Sequence, residues 1–194
     1  MSSTRLPGKV LLPFRGTTVL QYLYERCISI EGITKVVILT SDMSDDDAIK
    51  DVCELSNIPF FRGSLLNVLE RFQKASQSFC NPNDFVIRLC ADSPLIDRSL
   101  LQAFTNDVSS NYSFFSTRYL KNGVFISTTG KGNNIDAVTV SALAKLKGIN
   151  ELIREHIIYG FDYSDGFRLF KSSQKFDENN CIDTVDDYRR LSLC

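Results

Sequence analysis

The chain has no tryptophan, a single histidine and two methionines among its 194 residues. No apolar run approaches the ~20 residues that a membrane-crossing helix needs. Near the N-terminus Arg5 and Lys9 precede Val10-Leu11-Leu12, but Pro13 and Arg15 cut that run too short for the core of a secretory signal. One histidine excludes a zinc-type His/Cys ligand set. The six cysteines (27, 53, 80, 90, 181 and 194) form no C-x-x-C pair and no regular framework. Four of them sit in apolar or amphipathic surroundings and read as small buried hydrophobes, and Cys194 is terminal. Charge of one sign is missing too. Lys plus Arg number 22 against 23 Asp plus Glu, a net charge of −1, with neither the basic excess nor the basic stripe of a nucleic-acid-binding protein. Nor is there a linker, a repeat of fixed period or a low-complexity tract. These absences predict a reduced, cytoplasmic protein with neither nucleic acid nor membrane as its partner.

What is present is an ordinary globular composition: 43% hydrophobic and 23% charged residues, with 14 Phe and 7 Tyr. The length predicts one domain over 1–194, long enough to bury a core without a disulfide or metal staple. Short β-branched runs alternate with amphipathic segments, the pattern of an α/β domain with a largely parallel sheet. Strands are predicted at Val36–Leu39, Ile58–Phe61, Phe85–Cys90, Tyr112–Phe115 and Ile135–Val140. Helical faces are formed by Val19, Leu20, Leu23, Cys27 and Ile28, and by Leu65, Val68, Leu69, Phe72 and Ala75. Asp45-Asp46-Asp47 opens a helix to about Leu55 and reads as a solvated charge run suited to a helix N-terminus. Further helices are predicted over about 98–108, 141–146 and 149–159, with a long exposed loop or hairpin over 121–134.

In open α/β sheets, ligands bind beyond the carboxyl ends of the strands. This directs attention to Thr40–Asp42, Arg62-Gly63 and Ala91-Asp92-Ser93-Pro94. A carboxylate held at a strand end, such as Asp92, can bind Mg²⁺ through oxygen or cap the next helix, although Asp97 is better placed to cap. At the front, Ser2-Ser3-Thr4-Arg5-Leu6-Pro7-Gly8-Lys9 combines small residues with two cations. Small residues let backbone N–H groups approach phosphate oxygens. The segment is neither a Walker A loop nor a G-x-G-x-x-G turn, and on its own it is no more than a basic tail.

Six segments taken in order carry a stronger signal. They are S-T-R-L-P-G-K-V-L, V-V-I-L-T-S-D, F-R-G-S-x-x-x-V-L-x-R-F, V-I-R-x-x-A-D-S-P-L-I-D, R-E-H and I-D-T-V-D-D-Y, spanning about Ser2 to Leu191. Together they resemble the spore-coat-polysaccharide (SpsF-type) cytidylyltransferases, within the wider group that activates acylneuraminate and KDO sugars. The resemblance implies a single-domain, three-layer nucleotide-diphospho-sugar transferase fold. That fold is glycosyltransferase-A-like and Rossmann-like, with a mixed, mostly parallel sheet. The implied reaction couples CTP to an acidic sugar with release of pyrophosphate, assisted by Mg²⁺, and relatives commonly act as homodimers. Competing readings are a sugar-1-phosphate nucleotidyltransferase using another nucleotide and a non-catalytic nucleotide- or sugar-binding protein.

Residue by residue, the resemblance assigns Ser2, Ser3, Arg5 and Lys9 to the triphosphate, and Asp92 and Asp183 to the metal. Arg62 and Arg71 fall near the base and phosphates. Asp136, Arg154, Glu155 and His156 fall on the acceptor side. Read alone, Asp183 could instead cap a short terminal helix, in competition with Thr184 and Asp186, and His156 could be a surface histidine. The sequence departs from the family pattern at Ala91 (for Gly), Val185 (for Pro) and Ala137 (for the Glu of D-V-E). The resemblance also implies a hydrophobic strand ahead of the phosphate segment, central in the sheet, with Met1 standing at an internal family Met. The chain is therefore expected to lack that strand and to leave 36–39 and 85–90 each with an unpaired edge. A start upstream of Met1 is favoured over a natural truncation with weak or no activity, because the remaining motifs are intact.

Overall fold

A computed structural model describes residues 3–109, 111–173, 176 and 179–193. A short hairpin, β1 (Pro13–Phe14) and β2 (Thr17–Thr18), leads into α1 (Val19–Ile28). A capping box starts this helix: Thr18 accepts from the Gln21 N–H while the Gln21 side chain accepts from the Thr18 N–H. Then follow β3 (Ile38–Ser41), α2 (Asp47–Leu55), β4 (Phe60–Gly63), α3 (Val68–Phe79), β5 (Phe85–Arg88) and α4 (Arg98–Asp107). The second half contains β6 (Phe114–Ser116), the hairpin β7 (Arg118–Lys121) and β8 (Val124–Ser127), β9 (Asp136–Thr139), α5 (Val140–Lys145), α6 (Glu151–Glu155), β10 (Phe167–Leu169) and α7 (Val185–Ser192).

The strands form a main sheet in the order β10-β6-β9-β5 and a separate parallel pair, β3-β4. The arrangement is mixed. β10 runs parallel to β6, while β9 runs against both β6 and β5. The hairpin explains the reversal, because the chain leaves β6 through β7 and β8 and comes back to the same end, where Asp136 begins β9 beside Ser116. Asn122 and Gly123 both take positive φ (51° and 78°) at its tip, the backbone that a tight two-residue hairpin turn requires. Among the described residues β3 pairs with β4 and β5 with β9, and no strand lies between β3 and β5.

Alternation along the strands builds three layers. Phe85, Ile87, Phe115 and Ala137 face one side of the main sheet, where they pack with Leu23 and Cys27 of α1 and Leu100, Leu101 and Phe104 of α4. Val86, Phe114 and Val138 face the other side and pack with Leu69 of α3, Leu143 of α5, Ile153 of α6 and Ile157-Ile158. By the same parity Arg88, Ser116 and Asp136 belong to this second face, at the ends of their strands.

Three local departures from expectation have physical causes. The predicted helix over 149–159 stops at Glu155. His156 is extended (φ −124°, ψ 93°), and a 3₁₀ turn over Ile157–Gly160 follows, which lets the adjacent Ile157 and Ile158 both reach the core. The acidic run is only partly solvated. Asp45 and Asp47 are exposed but Asp46 is buried, accepting hydrogen bonds from Thr40 Oγ1 (3.0 Å), Ser41 N (3.1 Å) and Ser41 Oγ (2.6 Å). Of the cysteines, Cys27, Cys53 and Cys181 are buried, Cys80 is half-buried and Cys90 is exposed.

Candidate active site

The front segment is built around Gly8, whose φ of 70° lies in the left-handed region. That turn starts a 3₁₀ helix at Lys9 and sends the Lys9 side chain across the carboxyl edge of the sheet. Its ammonium donates to Asp92 Oδ2 at 2.6 Å, to the Ile182 carbonyl at 2.7 Å and to Asp183 Oδ1 at 3.3 Å. Arg5 reaches the same Asp183 oxygen at 2.9 Å, and Lys131 donates to its other oxygen at 2.5 Å. Four residues separated by up to 178 positions therefore meet at one point: Arg5, Lys9, Asp92 and Asp183. Backbone pairing holds the two carboxylates together, with Ile182 N donating to Asp92 O at 2.7 Å.

Neither carboxylate is a helix cap. Asp97 caps α4 by accepting from Leu100 N at 2.8 Å. Thr184 caps α7, with Asp187 completing the reciprocal box. Asp92 and Asp183 are left to the cations. The hydrogen bond from Lys131, supported by Lys9, holds Asp183 below the ordinary carboxylate range against the opposing effect of burial. Burial works against the charge on Lys9, but its hydrogen bonds and charge attraction to Asp92 and Asp183 together outweigh this and raise its pKa above the usual lysine value.

Lys131 is a contributor that the sequence reading missed, since it lay in a segment read only as an exposed loop. Its placement depends on Gly132, where φ is +86° and an added Cβ would fall 2.5 Å from the Asn180 carbonyl carbon and 2.7 Å from Cys181 N. The neighbouring bond from Asn180 N to Lys131 O (2.8 Å) fixes this close crossing. A lone Gly-Lys-Gly in a polar stretch carries no signal of it.

Asp92, Asp183 and Cys181 bring ligand atoms within 4.8 Å of one another. Burial, then the two carboxylates, push the Cys181 thiol up to about 12, so it stays protonated. The effective donor set is thus two carboxylates, which suits an oxygen-seeking divalent cation such as magnesium. Beside them opens a cavity of about 400 Å³. Ser3, Gly8, Lys9, Asp92 and Arg71 line its polar side; Val10, Leu20, Ile38 and Ile49 line its apolar side. Arg71 donates to the Ser64 carbonyl at 3.1 Å, but its buried Nε has no partner, and burial lowers its pKa. Ser3 also accepts from Leu6 N at 3.3 Å. Ser2 lies outside the described residues.

Arg62 is placed differently. Its Nε and Nη2 donate to the Ser41 and Met43 carbonyls, both at 2.9 Å, and its Nη1 pairs with Asp47 at 2.7 Å. The three nitrogens tie β4 to the end of β3, to the turn after it and to the start of α2, and Arg62 is not among the residues that line the cavity. On the acceptor side, Asp136 is buried and accepts from Ser116 Oγ (2.7 Å) and from Arg118 Nε and Nη2 (3.2 and 2.5 Å). This carboxylate is engaged by its own neighbours, at the strand end on the second face of the sheet. His156 is exposed at the end of α6, with Glu155 Oε1 3.7 Å from its Nε2. Burial of part of the ring, with Arg88 and Arg118 nearby, lowers its pKa. Arg154 lies on the exposed side of α6, its stem against Gly148.

The cytidylyltransferase family model matches residues 1–179. The chain belongs to the cytidylyltransferase family. It is 28% identical to the spore coat polysaccharide biosynthesis protein SpsF of Bacillus subtilis, over 98% of this chain and 81% of that one. A shorter match, 34% identical over 98 residues, covers 49% of this chain and 38% of the 8-amino-3,8-dideoxy-manno-octulosonate cytidylyltransferase of Shewanella sediminis. Among solved structures, a cytidylyltransferase from Leptospira borgpetersenii superposes with a TM-score of 0.86 at 29% identity, covering 100% of this chain and 82% of that one. The expected α/β nucleotidyltransferase fold is therefore the observed one. Among the described residues no helix is long and apolar enough to cross a membrane.

Proposed function

We propose that this cytidylyltransferase transfers CMP from CTP to an acidic sugar, releasing pyrophosphate, with Arg5, Lys9, Asp92 and Asp183 as its central residues. The convergence of Arg5, Lys9 and Lys131 on two carboxylates, beside a cavity of about 400 Å³, carries the reading. The acidic acceptor is taken from the octulosonate enzyme that half of the chain matches.

The reaction requires a sugar hydroxyl to attack the α-phosphorus while pyrophosphate leaves in line. Asp92 and Asp183 are the residues that would hold a divalent ion, magnesium by expectation. Such an ion, when bound, lowers the hydroxyl's pKa and neutralises charge on the leaving group. Lys9 has a four-carbon stem, enough to shift its ammonium from the carboxylates to the β- and γ-phosphates. Arg5 and Lys131, with side chains 62% and 55% exposed, can close on the same groups. Arg71 offers its unpartnered Nε to the nucleotide. No protein nucleophile enters, which fits a site without a Ser-His-Asp set.

The test is pyrophosphate release with CTP, UTP, GTP or ATP against a panel of acidic sugars, in magnesium and in EDTA. Release with CTP and one or more carboxylate sugars, lost in EDTA, is expected. Asp92→Asn should lower turnover by roughly a thousandfold or more while the protein keeps its fold. A preference for another nucleotide, or wild-type turnover in folded Asp92→Asn, overturns the reading.

A further inference from the structure

Both oxygens of Asp183 are engaged by cations of the chain itself. Oδ1 is shared by Arg5 at 2.9 Å and Lys9 at 3.3 Å, whereas Oδ2 belongs to Lys131 at 2.5 Å. Lys9 also holds Asp92 Oδ2 at 2.6 Å. Two carboxylates thus face three cations, a local excess of one positive charge where a divalent ion would need oxygen. The three are not equally free to leave. Lys9 is 13% exposed and donates to the Ile182 carbonyl as well, at 2.7 Å. Lys131 is 55% exposed, and among the described residues its ammonium has no partner besides Asp183. Its backbone, by contrast, is pinned. Asn180 N donates to Lys131 O at 2.8 Å, across the close crossing that Gly132 permits. Buried Asn133, two residues on, accepts from Asp97 N at 2.9 Å. The lysine arm can swing while its base stays beside Asp183.

We propose that Lys131 is a resident counter-ion of Asp183, which yields Oδ2 to a divalent ion and transfers its own charge to the triphosphate. The inference rests on the reaction proposed above. While Lys131 holds Oδ2, a divalent ion must displace it against the local excess of positive charge, so the carboxylates bind such an ion weakly by themselves. A triphosphate reverses that balance. Its oxygens accept the ammonium that leaves Oδ2, and the freed oxygen opens. Metal and nucleotide therefore favour each other, and by linkage each raises the other's affinity by the same factor. Lys131 suits this exchange better than its neighbours do. Lys9 would give up three partners from a largely buried position, and Arg5 would leave an oxygen that Lys9 still holds. Departure of Lys131 clears a whole oxygen.

The experiment titrates Mn²⁺ without nucleotide into wild type, Lys131→Met and Lys131→Arg, and then CTP into each at saturating Mn²⁺. Thermal unfolding checks that each variant is folded. Methionine keeps an unbranched arm without the charge, and arginine keeps the charge. Lys131→Met should bind Mn²⁺ alone roughly 10-fold more tightly than wild type, and CTP roughly 10-fold more weakly. Lys131→Arg should stay near wild type for both ligands. The opposite signs are the signature of one cation serving two anions, because loss of a residue that merely shapes the loop would weaken both ligands. Unchanged or weaker binding of Mn²⁺ alone in folded Lys131→Met overturns the proposal. Tighter Mn²⁺ with unchanged CTP overturns the transfer of charge to the triphosphate. If no form of the protein takes up Mn²⁺, with or without CTP, the metal reading of Asp92 and Asp183 in the proposed reaction fails, and this inference fails with it.

Discussion

At the scale of single residues, the site is a problem in charge balance. Two carboxylates 91 positions apart in the chain are brought to one edge, and each would be costly there without a partner. Lys9 is the fixed counter-ion, 13% exposed and bonded to both; Arg5 and Lys131 are the outer, solvent-facing ones. The same logic governs Asp46, at the end of β3. Burial works against its charge, but hydrogen bonds including those from Ser41 and Thr40 outweigh it and hold its pKa at about 2, against an ordinary 3.8. A depressed folded pKa stabilises the protein above the unfolded value, and that stabilisation is lost as pH falls towards the folded one. Wild type should therefore exceed Asp46→Asn in urea-unfolding free energy at pH 5–7, and the gap should shrink between about pH 4 and pH 2. A gap that is constant with pH would show that the carboxylate's charge is not what β3 and α2 rely on.

At the scale of elements, the site depends on loops that two rigid frames hold in place. Tight glycine turns and helix caps do this positioning: Gly8 before Lys9, Gly132 after Lys131, and the Thr184–Asp187 box directly after Asp183. Gly132 is the most exacting of these, because a methyl group there would meet backbone and not a side chain that could move aside. Gly132→Ala should cost roughly 1–3 kcal/mol, from strained backbone and the forced separation of the two segments. It should also lower turnover more than that loss of stability accounts for, since Lys131 and Cys181–Asp183 move apart. Thermal unfolding and steady-state kinetics on the same preparation separate the two effects. A destabilised variant with unchanged kcat would remove Lys131 from the site.

At the scale of the molecule, the cavity is lined by residues of the front segment, α1, β3, α2, α3 and the segment at Ala91-Asp92 that follows β5. Ligand that binds there ties the front segment, β3 and the segment after β5 together. CTP with a divalent ion at 100 times its Kd adds about 2.7 kcal/mol, which at this size corresponds to a Tm rise of roughly 5–10 °C. EDTA should abolish most of that rise, because without the ion the triphosphate and the two carboxylates repel. An equal shift in EDTA would argue that Asp92 and Asp183 serve only as partners for Lys9.

Much of this protein is legible in one dimension. Short β-branched runs and helical patterns locate α1, α2, α4, β3 and β5 to within about two residues, because buried strands and helix faces each need apolar residues at the spacing their backbone dictates. The six ordered motifs point to the cytidylyltransferase family and single out Asp183, Arg5 and Lys9, while Asp92 is marked already by its place at a strand end. Other features depend on proximity that no local pattern encodes. Lys131 joins the site through a crossing of two loops that only Gly132 permits. Asp136 is matched by motif to the acceptor side, but only strand register shows that it stands opposite Arg88 and is bonded to Arg118. The partners of Arg62 at the Ser41 and Met43 carbonyls and Asp47 are likewise visible only in the folded chain. The difference has one cause. Burial periodicity is a property of a segment and survives in sequence, whereas the partner of a charged side chain is chosen among groups that meet only when the chain has folded.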